Sequence, residues 1–83
     1  MRLVLFLKNT RLIRRRTAAK DAASGGGVLL NGHPAKAGRD VKAGDILTVL
    51  GDEDGRTRRV EILQEASRPV PKGREGEFFR VLD

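Results

Sequence analysis

The chain has 83 residues, enough for one small domain that buries only about 60–65% of its unfolded surface. It has no cysteine, one histidine (His33) and no apolar run near the ~20 residues of a membrane span, which argues against a disulfide scaffold, a zinc knuckle and a membrane protein. The net charge of +6 is concentrated: residues 1–20 hold seven basic side chains and no acidic one, whereas residues 21–83 hold ten basic and eleven acidic ones. Such a basic face predicts a polyanionic partner, nucleic acid first, in a protein of the cytoplasm.

The N-terminal part of the chain predicts two helices. A first helix is predicted over Arg2–Thr10, because Leu3, Phe6 and Leu7 recur at the i, i+3, i+4 spacing, although the adjacent pair Val4-Leu5 would also suit a buried strand. A second is predicted over Arg14–Ser24, where four alanines lie at i, i+4 spacings on strong helix formers. The glycines of residues 25–27 would end it.

A sheet of three to five short strands is predicted next. Val28–Leu30 is followed by Asn31-Gly32, which suits both central positions of a type I′ turn and therefore predicts a hairpin. The return limb is His33–Ala37, in which Pro34 limits regular pairing.

Two further strands are predicted over Ile46–Leu50 and Arg56–Leu63. The segment Asp40–Asp45 precedes them as a turn, where an aspartate commonly hydrogen-bonds nearby backbone. An acidic turn over Gly51–Gly55 separates the two strands. The predicted fold class is thus α+β, with two N-terminal helices packed on a small bent antiparallel sheet.

The predicted domain covers residues 1–66, and residues 67–83 are expected to be a mobile segment rich in proline and glycine. This segment ends in a short apolar element, residues 78–82, that can dock back onto the core.

The basic face is the candidate binding site. Four arginines in six positions repel one another, so a purely structural role does not favour them, and the planar fork of arginine suits phosphate. A solvated helix start or a lipid-binding patch are the alternatives. The candidate RNA-binding residues are Arg2, Lys8, Arg11, Arg14, Arg15, Arg16 and Lys20.

Other candidate chemistry is weak. The glycines of residues 25–27 follow a helix and lack the Lys-Ser/Thr ending of a nucleotide loop, and residues 52–54 do not match a calcium loop. No nucleophile–base arrangement stands out, and His33 beside a turn is expected to be exposed. We therefore predict a protein that is not an enzyme and holds no cofactor or metal.

Several short motifs, taken in order, resemble the RNA-binding domain named after ribosomal small-subunit protein four, the S-four domain. The similarity covers roughly residues 1–50, and the overall length and the Phe-Phe-Arg-Val-Leu ending resemble most the RqcP group of stand-alone bacterial S-four proteins. The motifs are Arg2-Leu3, Phe6-Leu7-Lys8, Arg11 to Lys20, Val28 to Gly32 and Val41 to Leu47.

The resemblance implies the two-helix α-L motif on a bent sheet, in a cytoplasmic protein bound to the large ribosomal subunit. Proteins of that group contact ribosomal RNA and peptidyl-tRNA while alanine tails are added to stalled chains, which implies a tailing factor as a further partner and a monomeric state. Arg2 and Arg16 match basic residues that contact RNA in the family, and the other candidate residues extend that surface.

The chain departs from the family pattern at two places. The family usually has Asp-Lys where this chain has Val4-Leu5, and often a basic residue where this chain has Gly27. Two other functions fit the same residues. One is a heat-shock type of S-four protein that rescues free large subunits with a trapped nascent chain and usually carries a long basic extension. The other is a detached RNA-binding module of an RNA-modifying enzyme.

Overall fold

The computed structural model describes residues 1–13, 27–50 and 57–82. The predicted helix over Arg14–Ser24 and the acidic turn over Gly51–Gly55 lie outside these ranges. The described elements are one helix, α1 (Leu3–Asn9), five strands, β1 (Val28–Leu30), β2 (His33–Pro34), β3 (Ile46–Val49), β4 (Arg58–Ile62) and β5 (Phe79–Val81), and a short 3₁₀ helix (Glu75–Glu77) before β5. The α+β class is confirmed, with one helix and a five-stranded sheet.

Helix α1 begins without a capping side chain. Its first turn has no acidic residue, and Arg2 at the N-cap makes no side-chain hydrogen bond to it. Instead the Leu3 N–H donates to the Arg39 carbonyl (2.8 Å) and the Val4 N–H to the Ala37 carbonyl (3.1 Å). The segment after β2 thereby satisfies N–H groups that a helix start leaves without intrahelical partners.

The apolar face of α1 enters the core as its spacing predicts. Leu3, Phe6 and Leu7 are fully buried. Val4 is buried as well, and Leu5 is half-buried, so the pair that departs from the family pattern adds to packing in this chain. A helix of seven residues is too short to be stable by itself in water. Full burial of each side chain of this size contributes about 1.5–3 kcal/mol, so packing in the core stabilises the helix.

The sheet is antiparallel throughout, in the order β2-β1-β3-β4-β5. The predicted hairpin is confirmed: Asn31 and Gly32 have φ of 51° and 85°, both left-handed as a type I′ turn requires. The two later strands are also found, each shorter than predicted at its ends. His33 is exposed beside the turn.

The strand register separates two faces of the sheet. Leu30, Leu47, Val60 and Val81 are successive cross-strand partners on one face, and the first three are buried. On the other face Glu61 of β4 pairs with Arg80 of β5, whose side chains form an ion pair. The apolar face joins α1 in one core.

That core is a single cluster drawn from the helix, the sheet and the connections between them. Its buried members are Leu3, Val4, Phe6, Leu7, Ile13, Val28, Leu30, Ala35, Val41, Leu47, Val49, Val60, Ile62, Ala66 and Val70.

Residues 63–78, here called the strap, connect β4 to β5 and pass beside α1. The buried Asn9 amide donates to the Ala66 carbonyl at 2.7 Å, and the Val70 N–H donates to the Asn9 carbonyl at 3.0 Å. Ala66 and Val70 are themselves buried. The domain boundary at residue 67 and the mobility of residues 67–83 stay predictions; in the structure Val70 reaches the core and Phe79–Val81 pairs with β4.

Candidate nucleic-acid interface

Three of the seven candidate cations lie in the described part of the chain, and all three are on or next to α1. Arg2 is exposed at the start of the helix, Lys8 is half-buried in its last turn, and Arg11 is exposed directly after it. Since the opposite side of α1 is buried, its amphipathic pattern leaves these cations toward solvent. The other four, Arg14, Arg15, Arg16 and Lys20, lie outside the described residues.

The backbone turns sharply at Arg11. Thr10 ends the helix, with its N–H and its hydroxyl both donating to the Phe6 carbonyl. Arg11 then takes a left-handed φ of 60°, which costs a residue with a side chain about 1–2 kcal/mol, and its N–H donates to the Lys8 carbonyl at 3.1 Å. The backbone of Arg11 is therefore held in place, while its side chain can change conformation and bind different anions.

That partner in the structure is Glu75 of the strap. The Arg11 guanidinium lies 3.7 Å from the Glu75 carboxylate, with both side chains partly exposed. The other oxygen of the carboxylate accepts a hydrogen bond of 2.7 Å from the Gly73 N–H. A candidate phosphate-binding arginine is thus paired with an acid 64 positions further along the chain.

The environment of Glu75 favours its charged form. A hydrogen bond from its own backbone N–H, then that from Gly73, and then the charges of Arg11 and Lys72 lower the pKa of Glu75 below its ordinary value of 4.5, against some desolvation that raises it. Glu75 is accordingly ionised at neutral pH.

Folding also brings a further cation to the start of α1. Segment 37–41 runs antiparallel to residues 1–4, with Arg2 and Asp40 as direct cross-chain partners, so the exposed Arg39 lies beside the helix start. Neither Arg39 nor Glu75 was among the predicted site residues. No spacing in the sequence could indicate them, because both reach the site through long-range backbone contacts.

An open groove of about 630 Å³ lies between the hairpin turn and residues 38–42. Two of its polar side chains bond each other and the backbone: the Asn31 amide donates to the buried Asp45 (3.2 Å), which accepts from the Lys42 N–H (3.0 Å), while the Ile46 N–H donates to Asn31 (2.9 Å). We assign this cluster a structural role.

Residues 1–13, 27–50 and 57–82 contain no candidate metal centre and no membrane-spanning helix. Among them no three or more histidine, aspartate or glutamate side chains group as metal ligands would. In the same ranges, no helix has the length and apolar character needed to cross a membrane.

Comparison with known sequences gives consistent matches. The sequence pattern of the S4 domain, the S-four domain named above, matches residues 1–47. The RQC P-site tRNA stabilizing factor of Bacillus subtilis is 47% identical over 68 residues, which are 82% of this chain and 79% of that protein. The protein of the same name from Listeria monocytogenes is 43% identical over 82 residues, or 99% of this chain and 86% of that protein.

Comparison with solved structures gives the same fold. Heat Shock Protein 15 of Vibrio cholerae, described as trimeric, superposes with a TM-score of 0.87 at 22% identity, covering 98% of this chain and 80% of that one. The solution structure of the hypothetical protein HP1423 superposes with a TM-score of 0.80 at 32% identity, covering 100% and 98%. The first of these likenesses bears on the fold alone.

Proposed function

Because the chain belongs to the S4 domain family, and within it to the RQC P-site tRNA stabilizing factors, we propose that it is a non-enzymatic RNA-binding protein of the large ribosomal subunit. It acts in the cytoplasm on stalled nascent chains, where it holds peptidyl-tRNA and contacts ribosomal RNA. The observation that carries the proposal is the 39–47% identity to these factors along 82–99% of the chain.

The proposed mechanism is electrostatic clamping of RNA backbones. Arg2, Lys8 and Arg11 offer donors to phosphate along the exposed side of α1, and Arg39 adds a charge at the start of the helix. Arg14, Arg15, Arg16 and Lys20 extend the same surface in the proposal. The protein works as a monomer, and a tailing factor of the pathway is its further partner.

The test is a comparison of single variants by RNA affinity across a salt series. Purified wild type, Arg2→Ala, Arg11→Ala and Arg16→Ala are titrated with deacylated tRNA. Each loss of a phosphate contact is expected to weaken binding about two- to tenfold and to flatten the slope of log affinity against log salt by about 0.7–0.9.

Arg80→Ala is the matched control. It removes the same charge, but Arg80 pairs with Glu61 on the face of the sheet opposite the core, so it should bind like wild type. Variants of the basic surface that behave like Arg80→Ala would refute the proposed surface.

A second arm tests the ribosomal state. Large subunits that carry peptidyl-tRNA and empty large subunits are each sedimented with the protein. The proposal predicts that the loaded subunits retain more protein, and equal retention on empty subunits would contradict it. The tRNA should be recovered chemically unchanged, since no catalytic step is proposed.

A further inference from the structure

We propose that the Glu75 carboxylate occupies a phosphate-binding site, formed by the Arg11 guanidinium and the Gly73 N–H, and that an RNA phosphate displaces it on binding. The inference rests on the proposed function, because it takes Arg11 as part of the RNA-binding surface. It adds a competing internal anion to that surface, supplied by the strap.

The site has the composition that a phosphate requires. It combines a guanidinium with a backbone N–H that donates to the carboxylate at 2.7 Å, and the Lys72 charge adds to the positive potential around them. Arginine and backbone N–H groups are the usual donors to phosphate, and lysine adds a point charge. The Glu75 carboxylate now accepts the Gly73 hydrogen bond and lies 3.7 Å from the guanidinium, as an anion of the protein itself.

The contact between Arg11 and Glu75 is weak enough for a phosphate to replace the carboxylate. Its 3.7 Å separation exceeds hydrogen-bond length, and both side chains are open to solvent, with 38% and 29% of their surfaces exposed. Exposed pairs of this kind have little net stability. A phosphate can offer Arg11 two parallel short hydrogen bonds, which the carboxylate does not make in this geometry.

Neither partner depends on the other for its position. The backbone of Arg11 is fixed by its hydrogen bond to Lys8, and the strap is anchored separately through Asn9 to Ala66 and Val70. Exchange of the anion therefore needs only side-chain motion.

The functional consequence is discrimination among RNAs. An ionised carboxylate at Arg11 opposes every phosphate that approaches, so an RNA that makes few other contacts is held less well. An RNA positioned by the rest of the basic surface overcomes this opposition. The carboxylate thus lowers binding to unrelated RNA more than it lowers binding to the intended target.

The experiment compares Glu75→Gln with Glu77→Gln. Both remove one negative charge from the same 3₁₀ helix, but Glu77 pairs with Arg74 rather than Arg11. Glutamine at position 75 can still accept the Gly73 hydrogen bond, so the local fold is retained. Affinity for deacylated tRNA and for an unrelated RNA hairpin is measured across a salt series.

We expect Glu75→Gln to bind both RNAs about two- to fivefold more tightly than Glu77→Gln, with the larger gain for the unrelated hairpin. The slope of log affinity against log salt should become steeper by about 0.7–0.9, the signature of one additional phosphate contact. In an Arg11→Ala background the gain from Glu75→Gln should disappear.

Two failures can be told apart. If Arg2→Ala and Arg11→Ala leave RNA binding unchanged, the basic surface itself is wrong and the proposed function fails. If those variants weaken binding while Glu75→Gln matches Glu77→Gln or binds less tightly, the surface stands and the competing role of Glu75 is refuted.

Discussion

Two polar clusters of this small domain contain a carboxylate, and their geometries differ. In the hairpin cluster, the nearly buried Asp45 accepts from the Asn31 amide and the Lys42 N–H at 3.0–3.2 Å. In the strap cluster, Glu75 is partly exposed and lies 3.7 Å from Arg11.

This difference distinguishes a carboxylate that stabilises the fold, Asp45, from one that lies in the candidate binding site, Glu75. The donors around the nearly buried Asp45 carboxylate are a backbone N–H and an amide in a partly buried setting, so removing the carboxylate would leave two donors without their acceptor. Glu75 accepts one hydrogen bond, from the exposed Gly73 N–H, and its other oxygen faces an exposed guanidinium, which water or another anion can satisfy. Burial and completeness of hydrogen bonding, rather than the presence of charge, separate the two roles.

The largest change in stability is expected when the hairpin cluster loses its carboxylate. Asp45→Ala removes the acceptor of two donors, so the free energy of unfolding should fall by about 2–3 kcal/mol, measured by urea denaturation. RNA affinity of the folded fraction should change less than it does in Arg11→Ala, because neither Asp45 nor its two donors is a proposed RNA contact.

Asp40→Ala is the control for that loss. Asp40 is exposed and pairs only distantly, at 3.8 Å, with the amino group of Met1. Its removal should change stability by less than about 0.5 kcal/mol. Equal losses for Asp40→Ala and Asp45→Ala would contradict the structural assignment of the hairpin cluster.

Much of the hairpin region could be predicted from the sequence because its signals are local. The Asn-Gly dipeptide requires two left-handed residues, and the structure has them at Asn31 and Gly32. The expectation that an aspartate of the following turn bonds nearby backbone is confirmed at Asp45, which accepts from the N–H three residues earlier. The side-chain bond from Asn31 to Asp45 spans 14 positions and had no local signal.

The strap region could not be predicted in the same way. Its composition of proline, glycine and charge indicates a mobile segment, and nothing in that composition reveals that Asn9 bonds Ala66 across 57 positions. Arg11 was predicted as a site residue from charge alone. Glu75 was not, because only the path of the strap brings the two together.

The strap is expected to loosen when its hydrogen bond to Asn9 is removed. Asn9→Ala removes the buried amide that donates to the Ala66 carbonyl, and should lower the free energy of unfolding by about 1–2 kcal/mol. Hydrogen exchange at the Val70 N–H, which bonds the Asn9 carbonyl, should accelerate more than exchange in β3. A uniform acceleration across the sheet would show that Asn9 supports the whole fold rather than the strap.

Thr10→Val serves as its control. The Thr10 hydroxyl is equally buried but bonds the Phe6 carbonyl within α1, where the Thr10 N–H also donates. The substitution keeps the volume and leaves that carbonyl paired, so Val70 exchange should stay near the wild-type rate.

The smallest expected effect is the loss of the Glu75 contribution to stability as the pH falls. The pKa of Glu75 is lowered in the folded protein, so its charged form stabilises the fold at every pH above the ordinary value of 4.5, and this contribution is lost as the pH falls through the lowered folded value. The stability difference between wild type and Glu75→Gln, measured by urea unfolding from neutral pH downward, should be constant at first and then shrink below pH 4.5.

Arg11→Ala should leave most of this acid-dependent difference in place, because the hydrogen bonds from backbone N–H groups lower the Glu75 pKa more than the Arg11 charge does. A difference that grows on acidification would mean that the folded protein raises the Glu75 pKa instead, and one that Arg11→Ala abolishes would mean that Arg11 is what holds Glu75. In that case the two clusters would be alike, and the anion at Arg11 would be part of the fold rather than a competitor of phosphate.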